Sequence, residues 1–127
     1  MLPPVIISEK DFEIISFYKA RPNFITEKMV QGPVLEYDKD KFFKIDDMSR
    51  FVIFLENADP GYDWIFARNP MGIVTKYGGV ASHMAIRCAE FGIPAAIGCG
   101  SAIYSNLVKS NFVVIDGAKQ TLEHLEG

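Results

Sequence analysis

The hydrophobic pattern divides the chain into three stretches. Over 9–19, Phe12, Ile15 and Tyr18 lie along one side of a predicted short helix. Ser8 and Asp11 have capping-box spacing at its start, and Arg21-Pro22-Asn23 breaks it. A strand-rich stretch follows. Segments 34–37 and 42–45 predict two strands, with a hairpin turn through the acidic loop of Asp38 and Asp40. Phe51, Val52, Ile53, Phe54 and Leu55 form a continuous apolar run, which predicts a central strand.

From Asp59 the pattern changes again. Asp59-Pro60-Gly61 opens a turn, and 62–67 predicts a short helix. Strand and helix then alternate: a strand at 72–75, a helix at 82–91 stopped by Gly92, a strand at 95–98, a helix at 102–108 and a strand at 112–115. Asp116-Gly117 is a turn, and the last residues predict one more strand. This order implies a layered α/β domain. Residues 1–29 read as a lead-in or linker with its short helix, and residues 30–127 as the domain. The tail at 122–127 reads either as native chain or as an appended remnant.

Composition narrows the function classes. At 127 residues, with 49% apolar and 23% charged positions, the chain is long and apolar enough for one stable core. The net charge of −3 and the scattered basic residues argue against a nucleic-acid binder. Cys88 and Cys99 lack metal-site spacing and read as buried free thiols, which suits a reducing, cytoplasmic compartment. The Met-Leu-Pro-Pro start has no signal-peptide pattern, and no apolar run is long enough to span a membrane.

Candidate chemistry is concentrated between residues 72 and 98. A strand ends near Thr75, Gly78 and Gly79 allow a tight turn, and Ser82 is placed to cap the next helix. His83 then falls in the first turn. Unpaired backbone N–H groups and the positive end of the helix dipole gather there and favour an anion. That field favours a neutral, nucleophilic imidazole and would also stabilise the ring once phosphorylated. His83, Arg87 and Glu90 share one stripe at i, i+4 and i+7. Helical side chains lean toward the N-terminus, so Arg87 can reach a phosphoryl oxygen beside His83. Arg87 with Glu90 also reads as a plain surface ion pair. No metal ligand set is expected. Ser82 and His83 are neighbours that point apart on a helix, so they do not form a hydrolytic pair.

Taken together, Thr75, Gly78, Gly79, Ser82, His83, Ala85 and Ile86, followed by Gly92, Ile93, Pro94, Ala95 and Gly98, resemble the signature of the phosphoenolpyruvate (PEP)-utilising family. That family contains pyruvate phosphate dikinase, phosphoenolpyruvate synthase, enzyme I of the sugar phosphotransferase system and rifampin phosphotransferase. The likeness extends more loosely from about residue 30 to Gly117. It implies a swivelling β/β/α phosphohistidine domain in which His83 takes a phosphoryl group from ATP or phosphoenolpyruvate and relays it to an acceptor. Thr75, Gly78, Gly79 and Ser82 match the loop around the phosphoryl group, whereas the role of Arg87 follows from helix geometry. Two positions depart from the pattern. Ala81 replaces a threonine that serves regulation in some dikinases, and Ala89 replaces an arginine. The resemblance implies no cofactor on this domain itself. ATP and magnesium are expected in an ATP-grasp kinase partner, and a further partner domain supplies the acceptor. The competing expectation is a non-catalytic swivelling interaction module of the same fold. The acceptor, and whether the chain stands alone or belongs to a longer enzyme, stay open.

Overall fold

The computed structural model describes residues 5–6, 22–37 and 44–125. The helix expected over 9–19 and the acidic turn at Asp38 and Asp40 lie outside these residues. The described strands are β1 (Val5–Ile6), β2 (Asn23–Ile25), β3 (Met29–Glu36), β4 (Val52–Leu55), β5 (Gly72–Thr75), β6 (Ala95–Ile97), β7 (Phe112–Asp116) and β8 (Thr121–Leu125). A 3₁₀ helix spans Pro60–Arg68, α1 spans His83–Phe91 and α2 spans Gly100–Val108. The domain is therefore α/β, as its sequence implies.

One eight-stranded sheet runs in the order β1-β8-β7-β3-β4-β5-β6-β2. β3, β4, β5 and β6 are mutually parallel, and the outer pairings are antiparallel. Parallel neighbours need crossovers, which the 3₁₀ helix supplies between β4 and β5 and α1 between β5 and β6. β3 takes part in both arrangements. Its first half, from Met29 to Pro33, pairs antiparallel with β7, while Val34 to Glu36 pair parallel with β4. A sheet proline fits only where a ladder bond is not required, and Pro33 sits where the ladder passes from β7 to β4.

β4, β5 and β6 are covered on both faces, which explains their unbroken apolar runs. Ile53, Leu55 and Ile73 face Met84, Ala85 and Cys88 of α1 and Ile65 of the 3₁₀ helix. Val52, Phe54 and Val74 face Ile103, Tyr104 and Leu107 of α2, together with Val113 and Ile115. Full burial of each large apolar side chain contributes about 1.5–3 kcal/mol, so β4, buried at all four positions, anchors both layers.

Several boundaries differ from the sequence reading. β2, within the stretch read as a lead-in, pairs with β6, and β1 pairs with β8. The strand expected at 34–37 begins five residues earlier, at Met29. The strand expected at 42–45 is not seen at its described end: Lys44 lies in a turn and Ile45 in no strand. The final strand is present, and His124 lies half-buried in β8 with its Nδ1 shielded. Among the described residues, no helix is long and apolar enough to cross a membrane.

Candidate functional site

The site forms beyond the carboxyl ends of β4, β5 and β6, where open α/β sheets commonly bind ligands. The three loops that follow these strands are fastened together there. Tyr77 N–H donates to the Glu56 carbonyl at 2.9 Å, and Cys99 N–H donates to the Thr75 carbonyl at 2.9 Å. Thr75 itself is fully buried. Its hydroxyl donates to the Tyr77 carbonyl at 2.8 Å and accepts from Gly98 N–H at 3.0 Å. The hydroxyl thus sets the shape of the loop from beneath, rather than facing outward to an anion.

The glycines differ in what they do. Gly78 has φ 131°, and a Cβ on it would come within 2.7 Å of Ala58 Cβ. Gly98 has φ 74°, and its own Cβ would collide with the Gly78 carbonyl oxygen. Both therefore need the absence of a side chain. Gly79 has open space around it, so its backbone approaches the exterior without crowding.

Ser82 is the N-cap of α1. Its Oγ accepts from Ala85 N–H at 3.2 Å and donates to the Gly79 carbonyl at 2.7 Å. The hydroxyl is fully engaged in capping and turn closure, which removes any reason to read it as a nucleophile. The far end of α1 stops in a Schellman arrangement. Gly92 has φ 68°, its N–H reaches the Ala89 carbonyl at 3.3 Å, and Ile93 N–H reaches the Cys88 carbonyl at 2.8 Å. Cap and stop together fix His83 as the first residue of the helix.

The His83 side chain is 44% exposed. It is not sealed in the core, and its ring lies at the helix tip as the sequence implies. Arg87 is on the same helix, one turn on. The structure links the two through a residue the sequence reading missed. Asp63, on the 3₁₀ helix, places Oδ1 3.1 Å from His83 Nε2 and accepts from Arg87 Nε at 3.1 Å. Arg87 Nη1 also donates to Glu90 Oε1 at 3.3 Å, so the expected surface ion pair is present as well. The Arg87 guanidinium lies 4.8 Å from the centroid of Phe91 and 5.8 Å from that of Phe66, and these rings stack 5.4 Å apart. Their faces add cation–π attraction and fix the direction of the guanidinium. The Asp63 carboxyl is held below its usual value by the His83 hydrogen bond first, with Arg87 adding to it, against the opposing effect of desolvation. It is a carboxylate at neutral pH.

Asp63 has no periodic or motif signal. An acidic residue in the first turn of a helix is ordinary dipole chemistry, and only the fold brings it to His83. The loop from Glu56 to Gly61 is a capping turn, in line with the turn expected at Asp59-Pro60-Gly61: Asp59 Oδ1 accepts from Gly61 N–H at 2.7 Å, and Asn57 Oδ1 from Asp59 N–H at 3.0 Å. Phe66 is buried, and Tyr62 and Trp64 pack on the same core cluster. Cys88 and Cys99 are buried and unpaired, and burial pushes the Cys88 thiol up to about 12. Among the described residues, no group of three or more His, Cys, Asp and Glu side chains is arranged to hold a metal ion.

Comparison with known proteins bears on this geometry. Residues 49–120, over half of the chain, match the family model described as "PEP-utilising enzyme, mobile domain". A probable phosphoenolpyruvate synthase of Staphylothermus marinus is 39% identical over 70 residues, covering 54% of this chain and 8% of that protein. A phosphoenolpyruvate synthase of Synechocystis is 27% identical over 107 residues, covering 79% and 13%. A rifampicin phosphotransferase of Bacillus cereus is 28% identical over 140 aligned positions, covering 100% of the chain and 14% of that protein. The chain thus spans 8–14% of the length of these relatives. Among solved structures, the solution NMR structure of a UPF0107 protein shares the fold at TM-score 0.58 and 16% identity, covering 84% of this chain and 98% of that one.

Proposed function

Because the chain belongs to the family of mobile domains of PEP-utilising enzymes, we propose that it is a phosphoryl carrier, relaying a phosphoryl group through His83 from a donor site to an acceptor site. The observation that carries this reading is the exposed imidazole of His83 at a capped helix N-terminus, with a guanidinium on the next turn. In this reading the layered α/β fold is the swivelling β/β/α arrangement. ATP, or phosphoenolpyruvate, is the donor, and the nucleotide and magnesium are held by an ATP-grasp partner domain. That division of labour agrees with the small share of each relative that the chain covers.

The chemistry is an in-line transfer. A lone pair of the imidazole bonds to phosphorus, the bond from phosphorus to the donor oxygen breaks with its electron pair, and the ring releases a proton to solvent. Catalysis of this kind is mainly positioning and charge stabilisation. The chain supplies both through the free amides at the start of α1 and through Arg87. Thr75 and Gly78 act indirectly, by holding the loop in place, and Ser82 by fixing where the helix begins.

The test is transfer from radiolabelled ATP in the presence of the nucleotide-binding partner domain. Acid-labile, base-stable label on the chain is expected. His83→Ala, at an exposed position, should fold normally and take none. Equal labelling of His83→Ala would exclude the carrier role. Partner binding indifferent to both phosphate and His83 would favour the non-catalytic module.

A further inference from the structure

A carrier role for His83 leaves the position of Asp63 unexplained. A single carboxylate oxygen meets both the ring nitrogen Nε2 and the Arg87 Nε, each at 3.1 Å. A phosphoryl group bonded to Nε2 would put its own oxygens where Oδ1 now sits. The two anions exclude each other there by volume and by like charge. Arginine accepts either anion with similar geometry.

The supports of the three side chains differ. His83 and Arg87 stand four residues apart on one regular α-helix, so their spacing is fixed. Asp63 is carried by a 3₁₀ helix, whose hydrogen-bond geometry is poorer. It is 42% exposed, so its side chain has room to turn outward.

We infer that Asp63 is a placeholder for the phosphoryl group: it occupies the Nε2 side of the unloaded ring, satisfies Arg87 there, and is expelled when Nε2 takes up its cargo. This rests on the carrier role proposed above. On expulsion the ring exchanges its Nε2 proton for one on Nδ1 through solvent. The Nε2 lone pair then bonds to phosphorus, the leaving group departs with its electron pair, and the Nδ1 proton is released to solvent. Arg87 Nε is passed from the carboxylate to a phosphoryl oxygen. The carboxylate therefore guards the nucleophile between transfers.

The 127-residue chain with potassium phosphoramidate, a small donor that needs no partner domain, provides the test. Phosphorus and nitrogen NMR read which ring nitrogen is modified and how fast. Label on His83 Nε2 is expected. Asp63→Ala should load about threefold faster, the scale of one exposed ion pair, and should lose the hydrogen-bonded Nε2 proton signal of the unloaded ring. Asp63→Glu should restore both that signal and the slower loading. Label on Nδ1, or Asp63→Ala loading no faster than the parent, would overturn the placeholder while leaving the carrier role intact. Absence of label on His83 in both proteins would remove the carrier role, and the placeholder with it.

Discussion

The domain contains the same structural unit twice, and only one copy sets a histidine beside a carboxylate and a guanidinium. β5 leads into α1 and β6 into α2, and each helix is nine residues long. At α2 the cap residue is Cys99, whose side chain makes no capping bond, and the entering amides are already spent: Cys99 N–H on the Thr75 carbonyl and Gly100 N–H on the Lys76 carbonyl, at 2.8 Å for the second. α2 carries no charged residue and packs Ile103, Tyr104 and Leu107 into the core. At α1 a serine caps the helix, His83 faces outward and the helix bears Arg87 and Glu90. A helix N-terminus is thus only an opportunity for anion chemistry. Here one is consumed as a structural brace for the other.

The strongest way to break this contrast is to pull the units apart where they touch. Gly98→Ala adds a side chain that meets the Gly78 carbonyl at a left-handed φ of 74°, so a loss of about 3 kcal/mol or more is expected in urea unfolding. Thr75→Val removes the hydroxyl joining both loops and leaves buried polar groups unpaired, for about 1–3 kcal/mol in the same measurement. Ser82→Ala tests the cap that only α1 possesses and should cost about 1 kcal/mol, with weaker phosphoryl labelling as the helix start frays. Gly79→Ala, with open space around it, should fall within about 0.5 kcal/mol of the parent.

A pH experiment separates the buried faces of the two units from their tips. The Cys88 thiol is raised from 9.0 to about 12 by burial, and Cys99 is raised further by its full burial. The folded state therefore binds more protons than the unfolded chain above pH 9. Stability from these thiols is complete below that pH and declines as pH climbs toward 12. Neither thiol should react with iodoacetamide at neutral pH until the chain unfolds. Asp63 behaves in the opposite sense. Its depressed carboxyl contributes above the usual value of 3.8, and that contribution is lost as pH falls through its folded-state value. The loss of the His83 ring contact in acid is the NMR readout.

Much of the central architecture was legible because its signals are local. The run from Phe51 to Leu55 announces a strand buried on both sides, and Ser82 and Gly92 announce both ends of α1. The outer strands were not legible. β2 is three residues long and follows a proline, and the first half of β3 contains Gly32 and Pro33, residues that ordinarily lower a strand reading. Their pairing with β6 and β7 is a tertiary fact that outweighs propensity. The same holds at the site. His83 and Arg87 are one helical turn apart and could be placed from sequence, whereas Asp63 arrives from another element twenty residues upstream.

The divided pairing of β3 has a consequence for how the domain assembles. β4, β5, α1 and β6 are successive along the chain and can find one another through short excursions. The bond between Met29 and Asp116 instead must close a loop of most of the chain, and long closures are entropically slow. β3 is thus a late clasp joining an early parallel layer to the antiparallel strands. Amide protons of β5 should gain protection from exchange during refolding before those at Val30 and Gln31, so the turn that leads to His83 can take shape while the outer wall is still open.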